Sequence, residues 1–97
     1  MFHKLKQFND LRKQASSLKN KLAVEKITVD NRAVSLTMDG NQEVQSVLVK
    51  GEYLRPESKT ELEKHIKDAV NDAVKKAQRV MASKIRESGD FKIPGMS

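Results

Sequence analysis

The chain has 97 residues, which is the length of one domain, and its 19 Lys+Arg against 13 Asp+Glu leave a formal net charge of +6. There is no cysteine, which excludes a disulfide scaffold, a Cys-based zinc site and a thiol nucleophile. No uninterrupted apolar run exceeds three residues, as in Val47-Leu48-Val49, so nothing approaches the ~20 apolar residues that cross a bilayer.

No signal-peptide core stands at the N-terminus, and a reducing cytosol is the simplest compartment. Aromatic residues make up only 4% of the chain, with no Trp. A monomer of this size buries roughly two-thirds of its surface. With so few bulky side chains it is marginal alone, and a partner chain is expected. The positive charge favours nucleic acid or another anionic surface.

Phe2 to about Ala23 reads as a helix. Phe8, Leu11, Ala15, Leu18 and Leu22 recur at gaps of three and four, a narrow heptad-type seam, and no Gly or Pro interrupts it. The period then drops to two. Ile27 and Val29 alternate with polar residues, as do Val34, Leu36 and Met38, which is the signal of half-buried strands. Asp30-Asn31-Arg32 and Asp39-Gly40-Asn41 are the two turns. A third strand runs from about Glu43 to Val49, and its apolar residues point to both faces, so it calls for cover on both sides.

Gly51 to Glu57 connects to the second helix, with Pro56 disfavouring a helical Arg55. Ser58 and Glu61 have the spacing of a capping box, and the helix should run from about Lys59 to Glu87, with Gly89 as its stop. Leu62, Ile66, Ala69, Val70, Ala73, Val74, Ala77, Val80, Met81 and Ile85 cover an apolar arc of about 160° on it. That is wider than one contact needs, so two packing partners are expected. Asp90 to Ser97, with Pro94-Gly95, reads as a flexible tail. The order is helix, three-stranded antiparallel meander, long helix: a single α+β domain over 1–97.

Charge is concentrated on the helices. Residues 1–23 carry six Lys/Arg and one Asp, residues 24–57 four against six acids, and residues 58–97 nine against six. Lys6, Arg12, Lys13 and Lys19 form a basic stripe on the first helix. On the second, Lys75, Lys76, Arg79, Lys84 and Arg86 follow an acidic beginning at Glu61, Glu63, Asp68 and Asp72. Acids early and bases late also complement the helix dipole, and a charged helix face is often only a solvated one. The functional reading is that two basic helical surfaces neutralise phosphates of duplex DNA, a contact that needs no base readout. The apolar candidates for a dimer interface are Val47, Leu48 and Val49 on the third strand and Val70 and Val74 on the long helix.

No catalytic constellation emerges, and no metal or cofactor is expected. His3 and His65 lack further ligands at metal-binding spacing, the four Gly are scattered, and Asp68 and Asp72 sit one turn apart on an open helix where Asp72 can pair with Lys76. Ser16-Ser17 has no His in its sequence context. Neither a small-molecule substrate nor a membrane is expected as a partner.

Ala69-Val70-Asn71-Asp72-Ala73-Val74-Lys75-Lys76-Ala77 resembles the long-helix signature of the YbaB/EbfC family of bacterial nucleoid-associated DNA-binding proteins. Gly89-Asp90-Phe91-Lys92-Ile93-Pro94-Gly95-Met96 is similar to that family's Gly-Phe-Lys-apolar-Pro ending, and the Asp39-Gly40 hairpin agrees with it. The chain departs from the family at Asp30-Asn31-Arg32, where a Gly-rich turn is usual. The resemblance implies a homodimer with projecting helical arms that binds duplex DNA with limited sequence preference in the cytoplasm, at the nucleoid. Two other readings use the same features. Helix, hairpin, helix is also the order of a prefoldin-like chaperone or interaction scaffold, although these helices are short for that role. The basic helices would also serve an RNA- or ribosome-associated factor.

Overall fold

In the computed structural model, the backbone of residues 2–88 and the side chains of residues 9–87 are described. The elements are α1 (Phe2–Ala23), β1 (Ile27–Asp30), β2 (Val34–Met38), β3 (Val44–Val49) and α2 (Lys59–Ser88). The strands form one antiparallel sheet in the order β1-β2-β3. This is the α+β meander between two helices that the change of hydrophobic period indicates. The tail from Asp90 to Ser97 lies outside the described residues.

Period two decides the sheet's faces. Ile27 and Val29 on β1 and Val34, Leu36 and Met38 on β2 are buried on one side. Thr28 and Asp30 point the other way and are exposed, with Ser35 and Thr37 only half-buried beside them. Against the apolar side lies α2, which presents Ala69, Ala73 and Ala77, each fully buried. Alanine at this spacing puts small side chains along one line of the helix, which lets it approach the sheet closely. Leu62, Val70, Val74 and Val80 fill in around that line. The main helix contacts are with β1 and β2, so β3 is left at an uncovered edge.

Both hairpin turns are held by side chains. In the first, Asn31 Oδ1 accepts from the backbone N–H groups of Ala33 and Val34, each at 3.0 Å, and its Nδ2 donates to the carbonyl of His65 on α2 at 2.9 Å. Asn31 thus closes the expected Asp30-Asn31-Arg32 turn as an Asx turn that also docks the hairpin on the helix. In the second turn the buried Asp39 accepts from the N–H groups of Asn41 and Glu43 through Oδ1, at 2.8 and 3.0 Å. Its Oδ2 accepts from Gln45 Nε2 at 3.2 Å. The β2–β3 register shifts between Thr37 and Met38, making Gln45 the extra residue of a bulge.

The second turn also anchors α1. Gly40 N donates to the Leu22 carbonyl at 2.8 Å, and Asn41 Nδ2 donates to the Lys19 carbonyl at 3.0 Å. A Cβ at Gly40 would meet Leu22 O at 2.8 Å, so only glycine permits this approach. Beyond its last turn α1 leaves the body. Its seam is buried at Leu22, half-buried at Leu18 and exposed at Ala15 and Leu11. The chain measures 65 × 21 × 19 Å with a radius of gyration of 18.6 Å, against about 13 Å for a compact domain of ~100 residues.

The beginning of α2 is built differently from the expected capping box. Pro56–Ser58 forms a 3-10 turn that runs directly into the helix, with Ser58 N donating to the Arg55 carbonyl at 2.9 Å.

Candidate nucleic-acid interface

At about 100° per residue, Lys75, Lys76, Arg79 and Arg86 fall within an arc of about 100° on α2. All four are exposed. Val70, Val74, Met81 and Ile85 lie on the opposite flank and are half-buried. The second half of α2 therefore separates a cationic flank from an apolar one, with the sheet-packing alanines between them. This separation cannot come from the helix dipole alone, which sorts charge along the axis and not around it.

Arg12, Lys13 and Lys19 on α1 are also exposed. Arg12 and Lys19, seven residues apart, stand nearly in line beside the seam, and Lys13 lies about 100° further round. The Lys6 side chain lies outside the described residues. Arg and Lys heads displayed in this way on extended helices offer point charges and forked donors to phosphate oxygens.

Lys84 differs from the other basic residues. Its ammonium lies 3.0 Å from Glu25 Oε1 and 3.5 Å from Glu87 Oε2. The hydrogen bond and charge of Glu25, then the charge of Glu87, hold it protonated above the ordinary lysine range. A second ion pair joins Lys50 to Asp30 at 3.4 Å at the far end of the sheet, where Lys50 Nζ also donates to the Asn31 carbonyl at 2.7 Å. The Ser35 hydroxyl, followed by Lys50, pulls the Asp30 carboxyl below its usual range.

Of the residues read from the sequence as interface candidates, Val47 and Leu48 are 52% and 65% exposed, while Val49, Val70 and Val74 are half-buried. Val47 and Val49 lie opposite Leu36 and Val34 and share their face of the sheet. Leu48 lies opposite Ser35 on the other face. Val44 and Ile66 are further exposed apolar residues not singled out from the sequence as interface candidates. His65 packs edge-on against Tyr53, with ring centroids 5.7 Å apart. Among the described residues no group of three or more His, Cys, Asp or Glu side chains could hold a metal ion, and no helix is long and apolar enough to cross a membrane.

The exposed cations on both helices suit a polyanionic partner. The sequence profile of the YbaB/EbfC DNA-binding family matches residues 1–89, and the chain belongs to that family. A nucleoid-associated protein of Pelotomaculum thermopropionicum is 39% identical over 70 residues, covering 71% of this chain and 67% of that protein. One from Clostridium acetobutylicum is 28% identical over 95 residues, covering 95% and 85%. Another, from Syntrophobacter fumaroxidans, is 29% identical over 98 residues, covering 98% and 89%.

Proposed function

We propose that the chain acts at the nucleoid as a homodimer that grips the phosphate backbone of duplex DNA with little sequence preference. The observation that carries this reading is the division of α2 into a flank of exposed bases, Lys75, Lys76, Arg79 and Arg86, and an apolar flank at Val70 and Val74. The first suits a polyanion and the second suits a partner chain. Arg12, Lys13 and Lys19, with Lys6 further out, extend the grip along α1. Phosphate contacts position a protein on DNA without reading bases.

The uncovered β3 supports the dimer. Val44, Val47 and Leu48 on an unpaired edge are the kind of surface that single-chain proteins conceal with charge, proline or a covering element. A second copy laid on β3 and on the Val70–Val74 flank would bury it and leave both pairs of helical arms directed outward.

Fluorescence anisotropy with a labelled 30-base-pair DNA duplex and a structured RNA hairpin, at matched salt, separates this reading from that of an RNA- or ribosome-associated factor. The duplex should bind at least as tightly as the hairpin. Consistently tighter binding of the hairpin would make RNA the ligand.

A further inference from the structure

We propose that Lys84 is a positioning residue and not a phosphate contact: its ion pair with Glu25 sets the direction of the α1 arm relative to α2. The proposal rests on the DNA-binding reading above and assigns one of its basic residues a different task.

Three observations single Lys84 out. On the helical wheel it falls in line with Leu62, Ala73, Ala77 and Val80, on the packing side of α2, away from the flank of Lys75, Arg79 and Arg86. It is half-buried whereas those three are exposed. Its ammonium is already held between two carboxylates, at 3.0 and 3.5 Å. A phosphate would have to displace Glu25 to reach it.

Glu25 is placed to act on α1. It stands in the short link between α1 and β1, and its N–H donates to the Leu22 carbonyl at 3.1 Å. The last turn of α1 is therefore fastened on one side to the β2–β3 turn, through Gly40 and Asn41, and on the other to α2, through Glu25 and Lys84. The last turns of α1 also pack on α2, with Leu22 buried and Leu18 half-buried, whereas further out the seam is exposed at Ala15 and Leu11. The helix is 22 residues long, about 33 Å, and a tilt of about 15° at its anchor moves the far end by about 9 Å. Arg12, ten residues or about 15 Å from Leu22, moves by about 4 Å and Lys19 by only about 1 Å, so the tie bears on how Arg12 and the residues beyond it meet the duplex that Arg79 and Arg86 hold.

Glu25→Lys adds two positive charges per chain, so its affinity is read against that of Glu52→Lys, the same change at an exposed acid away from the tie, and relative to it the two roles for Lys84 predict opposite signs. If Lys84 contacts phosphate, removing its carboxylate partner and adding a cation strengthens DNA binding. If Lys84 is a tie, like charges repel, the arm swings, and affinity falls about two- to fivefold, the scale of a partly exposed pair. The exchange Lys84→Glu with Glu25→Lys restores the pair at unchanged net charge and should recover affinity. The chain has no cysteine, so spin labels at Ser16→Cys and Gln78→Cys are unique. Diluted into unlabelled protein and without DNA, they report the distance between the helices within one protomer by pulsed electron resonance. A narrow distance in the parent should shift or broaden in Glu25→Lys and return in the exchange. Affinity of Glu25→Lys equal to or above that of Glu52→Lys, or an unchanged distance, would overturn the proposal. Arg79→Glu, measured in parallel, tests the DNA-binding reading itself. If it binds like the parent, that reading fails, while the label distances still decide the tie.

Discussion

Replacing Arg79 and Arg86 with Glu weakens binding to every duplex alike, by on the order of 10–100-fold at moderate salt, and flattens the salt dependence. Removing one phosphate-neutralising side chain should reduce the steepness of log K against log salt by about 1. A homodimer presents each side chain twice, and a carboxylate in its place repels the backbone it once neutralised. Both side chains are exposed and lie off the packing face of α2, so folding should be untouched. An unchanged far-UV circular dichroism spectrum checks this. Arg12, Lys13 and Lys19 to Glu should act in the same direction from α1. If the variants bind as the parent does, the bases are only a solvated face. A weakening confined to one sequence would reveal a base-reading group.

The second large effect concerns assembly. Light scattering after size exclusion at micromolar concentration should give about twice the chain mass of 11.0 kDa. Leu48→Asp should return it to the monomer. Leu48 is 65% exposed on the single chain, so a carboxylate there costs the protomer little. In a symmetric interface the change enters twice. An uncompensated buried charge costs about 3–5 kcal/mol. Each of the two copies then contributes on the order of 10²–10⁴ in dissociation constant, at ~1.4 kcal/mol per tenfold. Val47→Asp tests the other face of the same strand. A parent that elutes as a clean monomer would remove the dimer. A dimer that tolerates both substitutions would move the interface from β3 to α2.

The element boundaries were legible because two signals agree. Period three-to-four gives way to period two and returns, and the turns fall on Asp, Asn and Gly. From the sequence the third strand calls for cover on both sides, because Val47-Leu48-Val49 is apolar to both faces; on the single chain Val47 and Leu48 are exposed instead. Tertiary choices left no local trace. Nothing in the periodicity of α2 says that it sits over β1 and β2 and passes β3 by. Asp39 looks like an ordinary turn residue, yet it is buried with both carboxylate oxygens occupied. Gly40 looks like a turn glycine as well, but its missing Cβ also makes room for Leu22. Lys84 reads as one more base on a basic helix. Its partner Glu25 lies far away in sequence, and only the packing of the link between α1 and β1 brings the two together.

The most direct measurement of the central claim is a salt titration of binding to several unrelated duplexes by fluorescence anisotropy. With four to eight effective phosphate contacts per dimer, affinity should fall by on the order of 10²–10⁴ between 50 and 200 mM salt, at a slope of about −0.9 per contact. The curves for the different sequences should superimpose. A shallow slope, or one duplex that stays bound at a salt concentration where the others have dissociated, would contradict a grip made by phosphate contacts alone.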